Sequence, residues 1–484
     1  MSEIKVLFAA SEAVPFAKTG GLADVAGTLP RELVKLGADV RLIMPKYKSI
    51  PQCFIERMEY IGYVYVDLAW RHQYCAVLKL EHEGVVVYFI DNEYYFNRDT
   101  LYGHFDEAEQ FAFFSKALLK VLPMIDFKPD IIHCNDWQTG VVGAFLKAQF
   151  KLEEFYKEIR TVYTIHNLKY QGIFSKETLG DILGLGWEYF NAEGLEFKDC
   201  VNYMKAAIVY SDIITTVSKT YAEEIKNDFF GENLNGIINK RADSLYGIVN
   251  GIDYQENDPE TDKRIYQNFN AGDIKGKYEN KRMLQQSLGL PEREDIPIIS
   301  IVSRLVDQKG LDLIACVFDE LLQLDIQLVV LGTGDKKYEE MFSAAASKYP
   351  DKVSANLKYD GVLAQRIYAG SDMFLMPSLY EPCGLSQLFS LRYGTVPIVR
   401  ETGGLNDTIM SYNEFTEEGT GFTFANYNAH EMLDSIKRAI SFYGQKFTWE
   451  VIIKNGMKQD FSWNKSALEY MELYRKVLAI GDGQ

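Results

Sequence analysis

Short apolar, largely β-branched runs recur along the chain, each followed by a stretch of helix length in which polar and apolar residues mix. In the first half they are IKVLFA (4–9), DVRLIM (39–44), VVVYFI (85–90), DIIH (130–133), TVYTIH (161–166) and DIITTV (212–217). Runs that are apolar without strict alternation suit strands buried on both faces, and strands separated by helices suit a parallel sheet covered on each side. A second series follows: IPIISIVSR (296–304), IQLVVLG (326–332), DMFLMPS (372–378) and TVPIVR (395–400). Between the two series, GIVNGID (247–253) leads into a charged stretch holding the turn formers Asn257, Asp258, Pro259 and Gly272.

The pattern predicts two doubly wound α/β domains, 1–246 and 247–460, with 461–484 forming a terminal helix that crosses back to the first. A chain of 484 residues exceeds what one core usually organises, which agrees. Ligands of open α/β sheets bind beyond the carboxyl ends of the strands, so the expected site is a deep cleft faced by both domains. The glycine-rich and polar signals KTGG, NDW, HN, NGID, SRLVDQKG, GTGD, EPCGLS and TGGL almost all follow an apolar run directly.

Composition narrows the function. With 47% hydrophobic and 25% charged residues and no low-complexity tract, nearly the whole chain is expected to fold. The formal charge of −17 disfavours nucleic acid as a partner. The six cysteines form no CxxC pair or Cys/His cluster, so neither a disulfide framework nor a zinc site is indicated, and no metal site is expected. The opening MSEIKVLFAASE lacks a basic segment followed by a long apolar stretch, and no later run reaches the roughly 20 apolar residues of a membrane helix. The chain reads as cytoplasmic, with no membrane partner; nothing in it signals an oligomeric state.

An acidic protein can still take a phosphorylated small molecule where a few cations converge. Gly20 and Gly21 of KTGGLADV (18–25) permit close backbone approach, the following helix start offers free N–H groups to an anion, and Lys18 adds a charge. An ordinary strand–helix loop with a surface lysine has the same sequence. Arg304 and Lys309 stand at a strand end, where a fork and a mobile point charge suit a leaving diphosphate; solvated surface cations are the alternative. In EPCGLSQ (381–387) the amides near Cys383, Gly384 and Leu385 could meet phosphate or sugar hydroxyls, and Glu381 could accept from a sugar; equally, this is a helix start with a small buried cysteine. NDWQTG (135–140) and IHNLKYQG (165–172) bring Asp136, His166 and Asn167 to strand ends. No HExxH, GxSxG or P-loop is present, which argues against a zinc protease, an α/β serine hydrolase or a Walker ATPase.

Together, KTGGLADV, NDWQTG, TIHNLKYQG, VNGID, SRLVDQKGLDL, LYEPCGLSQL and TGGLNDT resemble the bacterial and plant glycogen/starch synthase family in order and spacing along almost the whole chain. The resemblance implies a GT-B fold and a retaining transfer of glucose from ADP-glucose to the non-reducing end of an α-1,4-glucan, with no cofactor and no metal. It implies catalytic parts for His166, Arg304, Lys309 and Glu381: Arg304 and Lys309 on the diphosphate, Glu381 positioning glucose, His166 stabilising the sugar. It implies substrate-binding parts for Lys18, Gly21 and Asp24 in the first motif, Asp136 beside the transferred glucose, Asn250 near the reacting centre, and Cys383, Gly384, Leu385 and Ser386 around glucose and distal phosphate. Tyr359 corresponds to an aromatic near the adenine.

One position departs from the pattern: many members carry a second His where this chain has Gln138. Two other readings stay open from the sequence, a related UDP-glucose-dependent GT-B transferase of the sucrose or trehalose synthase type, and a non-catalytic glucan-binding homologue.

Overall fold

In the computed structural model, which describes residues 3–480, the apolar runs of the first half become the centre of one sheet. The strands in chain order are β1 (Lys5–Ala9), β2 (Asp39–Pro45), β3 (Glu59–Leu68), β4 (Arg71–His82), β5 (Val85–Asp91), β6 (Ile131–Asn135), β7 (Arg160–Ile165), β8 (Ile173–Ser175), β9 (Glu196–Phe197), β10 (Cys200–Asn202), β11 (Ile213–Thr216) and β12 (Leu245–Gly247). Nine of them form a sheet in the order β12-β11-β7-β6-β1-β2-β5-β4-β3. All pairs from β12 to β5 are parallel, and β4 and β3 extend the sheet as an antiparallel hairpin. The chain builds outward from β1 through β2 to β5, then restarts at β6 on the other side, so the order reverses between β1 and β6. That reversal opens the place where ligands of such sheets bind. It sets the loop after β1, carrying Lys18, beside the loops after β6 and β7, carrying Asp136 and His166.

The second half repeats the plan. Strands β13 (Ile298–Val302), β14 (Gln327–Leu331), β15 (Val353–Asn356), β16 (Met373–Met376), β17 (Val396–Arg400) and β18 (Phe422–Phe424) form a wholly parallel sheet in the order β15-β14-β13-β16-β17-β18. Here the reversal lies between β13 and β16, which brings the loop holding Arg304 and Lys309 next to the loop holding Glu381.

The chain divides into two compact units, one running to Ile248 and resuming at Trp463, the other spanning Val249–Ser462. The divides stand at 248/249 and 462/463, against the expected 246/247 and 460/461. Local hydrogen bonds account for the shift. Ile248 N–H donates to Thr216 O at 2.9 Å, prolonging the pairing of β12 with β11, while Ile252 N–H donates to Phe461 O at 2.8 Å and keeps 461–462 with the second unit. The terminal helix Trp463–Leu478 packs in the first unit, burying Trp463, Tyr470, Met471, Tyr474 and Val477. Each unit has its own apolar core, on β1, β6, β7 and β11 in the first and on β13, β14, β16 and β17 in the second. Among the described residues no helix is long and apolar enough to cross a membrane, and no cluster of three or more His, Cys, Asp or Glu side chains could hold a metal ion.

Candidate active site

In the first unit the KTGG segment enters the helix Gly21–Lys35. Lys18 Nζ donates to both carboxylate oxygens of Asp24, at 2.6 and 2.9 Å, so the two residues expected to meet substrate hold each other. A Cβ at Gly21 would meet nothing within 4 Å, so packing inside the unit makes no demand for glycine there. The expected free amides at the helix start are not all free. Glu12 accepts from Thr19 N–H at 2.6 Å, Thr19 Oγ1 at 2.6 Å and Gly20 N–H at 3.1 Å. Glu12 lies outside the motifs of the sequence; its one signal there is a carboxylate set in the largely apolar AASEAVPFA just past a strand.

Asp136, directly after β6, adopts φ 55°, a left-handed conformation that a non-glycine residue takes only where its surroundings compel it. The compulsion is visible: its Oδ1 accepts from His166 N–H at 2.8 Å, which ties the end of β6 to the end of β7. Burial nevertheless pushes its pKa up to about 7. Burial pulls the His166 imidazole down to about 3, so the ring is neutral at physiological pH. Asn135 Nδ2 donates to Ala9 O at 3.1 Å, which turns its Oδ1 toward His166 Nε2 at 2.9 Å. Nε2 therefore carries the hydrogen and Nδ1 is left as an acceptor. Gln138 is buried, and its Oε1 has no partner among the described residues.

In the second unit Lys309 Nζ lies 2.6 Å from Glu381 Oε2, and the same oxygen accepts from Ser378 Oγ at 3.1 Å. Both side chains are largely buried, at 17% and 8% exposure. Arg304 is exposed, and its guanidinium has no partner among the described residues. The loop after β16 is held in shape by close backbone packing. A Cβ on Gly403 would stand 1.9 Å from Glu381 O, and one on Gly404 would stand 2.1 Å from Cys383 O. Gly404 N–H donates to Glu381 O at 3.1 Å, so the TGGL motif serves as a backbone template for EPCG. Gly384 takes φ 73°, and Leu385 leads into the helix Ser386–Arg392. The Ser386 hydroxyl meets the phenol of Tyr368. Burial pushes the Cys383 thiol up to about 12, which makes it inert as a nucleophile. Its sulfur receives the Asn250 N–H, and the buried Asn250 Oδ1 has no partner among the described residues. Tyr359 stands 90% exposed on the loop after β15, and the polar contacts joining Lys309, Glu381 and Ser378 do not extend to it.

Within the second unit, then, one unpaired guanidinium and one ammonium share the loop after β13, the ammonium held by a carboxylate from the adjacent loop after β16, with buried hydrogen-bonding groups that have capacity to spare. A diphosphate and a polyhydroxyl ring match that chemistry. Residues 5–240 match the family model described as the starch synthase catalytic domain, and residues 285–449 match glycosyl transferases group 1. A glycogen synthase of Desulforamulus reducens is 56% identical over 479 residues, covering 99% of this chain and 100% of that protein. A glycogen synthase of Clostridium novyi is 54% identical, covering 98% of this chain and 99% of its own. Among solved structures, the catalytic domain of starch synthase IV from Arabidopsis thaliana, bound to ADP and acarbose, superposes with a TM-score of 0.91 at 34% identity, covering 99% of this chain and 100% of that one. Sucrose-phosphate synthase from Thermosynechococcus elongatus, with a TM-score of 0.63 at 18% identity over 99% of this chain and 100% of its own, shares the fold alone. The chain belongs to the glycogen synthase and starch synthase family, and is a glycosyltransferase of the GT-B fold class.

Proposed function

We propose that the protein transfers glucose from ADP-glucose to the non-reducing end of an α-1,4-glucan with retention of configuration, and that it needs no metal. The observation that carries the reading is the second-unit group: Lys309 held 2.6 Å from a buried Glu381, beside an unpaired Arg304. As the bond from the sugar C1 to the diphosphate oxygen breaks, negative charge grows on ADP and positive character on the glucosyl ring. Arg304 and Lys309 supply the charge that stabilises the leaving diphosphate, a part a divalent cation would otherwise take. The Glu381 carboxylate accepts from sugar hydroxyls and holds the ring. The acceptor hydroxyl attacks C1 from the face the diphosphate leaves, and its proton passes to the departing phosphate oxygen. Lys18, Gly21, Asp24, Asp136, His166, Asn250, Tyr359, Cys383, Gly384, Leu385 and Ser386 are assigned to the same substrates by the family motifs they occupy. The neutral His166, with Nε2–H fixed on Asn135, suits a hydrogen bond to the sugar rather than a positive charge beside it.

Adenine as the base is supported by the ADP bound to starch synthase IV. Turnover of ADP-glucose and UDP-glucose on a glycogen primer tests it, with the product digested by an enzyme specific for α-1,4 linkages. Preference for ADP-glucose and release of the added glucose are expected, with rates unchanged by a chelator. A clear preference for UDP-glucose overturns the donor, and no release of ADP leaves the glucan-binding homologue.

A further inference from the structure

The loop between β1 and the helix Gly21–Lys35 is organised by a residue to which the family motifs give no part here. Glu12 is 3% exposed, and its carboxylate gathers Thr19 N–H, Thr19 Oγ1 and Gly20 N–H at 2.6, 2.6 and 3.1 Å. The backbone of Ala23, in the first turn of the helix, lies close enough to favour its charged form. The Thr19 hydroxyl is shared with the phenol of Tyr102, which lies 2.8 Å from Ser11 Oγ. One buried carboxylate thus spans the loop from its start to the first turn of the helix, held by N–H and O–H dipoles. Its desolvation is unfavourable, and only this set of donors makes the buried position tenable.

The placement matters because a helix start is ordinarily an anion seat. Here the amides of Thr19 and Gly20 already donate to a carboxylate of the protein's own. A phosphate brought to them would find them occupied, whereas Lys18, with its Nζ on Asp24, can exchange that partner for a phosphate oxygen.

We propose that Glu12 is a positioning residue for the donor: its carboxylate fixes the backbone of 18–21 in one conformation and occupies the amides of Thr19 and Gly20 just ahead of the helix, so that donor phosphate meets this part of the loop through Lys18. The inference rests on the reading that the loop meets the donor. Ordering the loop in advance removes an entropic cost from each turnover.

Glu12→Gln keeps the shape, removes the charge and turns an NH2 toward donors that need an acceptor; Thr19→Val removes a single donor. With Glu12→Gln, kcat/KM for ADP-glucose is expected to fall about ten- to a hundredfold, while KM for glycogen stays within about twofold. Thr19→Val should move the same constants in the same direction by less, and it keeps the test open if Glu12→Gln fails to fold. Hydrogen exchange on the unliganded protein gives a readout independent of turnover: amides in a peptide spanning 12–25 should exchange faster in Glu12→Gln, with β6 and β7 unchanged. Wild-type kinetics with unchanged exchange, or a loss that falls equally on donor and glycogen and tracks the unfolded fraction, overturns the proposal. If the wild type itself ignores ADP-glucose, the donor reading fails, and the exchange result alone decides whether Glu12 fixes the loop.

Discussion

Asp136 holds its carboxylate half-buried, with φ 55° and the His166 N–H as an anchor, and burial lifts its pKa to about 7. The folded state therefore binds that proton more tightly than the unfolded chain, whose aspartate titrates near 4. The contribution to stability is full below about pH 4 and lost as pH rises through about 7. Asp136→Asn, which cannot ionise, should gain in unfolding midpoint relative to wild type as pH is raised from 5 to 8. Midpoints measured side by side across that range check this, and a constant difference would show that Asp136 is ionised throughout. Asp136, Lys309 and Glu381 could be placed after strands from the sequence because position after a strand is a local property. Glu12 was not legible in that way because what marks that residue is the set of amides converging on it, and a fold is needed to bring them there. The Lys18–Asp24 pair was hidden for the same reason: six positions apart, the two meet only because the helix begins at Gly21.

At the level of elements, the strands buried on both faces were legible. β1, β6, β7 and β11 read as unbroken apolar runs because helices cover each side of the sheet. The hairpin β3–β4 was not, since its tyrosines Tyr60, Tyr63, Tyr65 and Tyr74 are exposed and give no continuous run. β15 and β18 lie at sheet edges, with four and three residues, too short for a pattern. The terminal helix is tied in by a contact of long sequence separation. Tyr474 OH lies 2.7 Å from His133 Nδ1, and His133 Nε2 lies 2.6 Å from Thr164 Oγ1, all buried under the helix. Burial holds His133 neutral, with its pKa down at about 3. Tyr474→Phe leaves Nδ1 without its partner and should cost about 1–3 kcal/mol. Denaturant unfolding followed in the first unit checks this, and a loss under about 0.5 kcal/mol would mean that the bond contributes little.

For the whole molecule, 484 residues carrying a net charge of −17 present an anionic donor with few places to bind. In the second unit the cations assigned to it, Arg304 and Lys309, stand on the loop after β13, at the strand-order reversal; in the first unit Lys18 stands on the loop after β1, likewise at a reversal. We propose that Lys309 and Glu381 belong to a donor site that moves glucose from ADP-glucose to glycogen. Transfer of labelled glucose to glycogen by wild type, Lys309→Ala and Glu381→Ala, each verified as folded at the assay temperature, tests it most directly. Incorporation by the wild type and a loss of about 100-fold or more in each variant is the expected result, in the range seen when one transition-state contact is removed. Near-wild-type transfer by either folded variant would contradict the account.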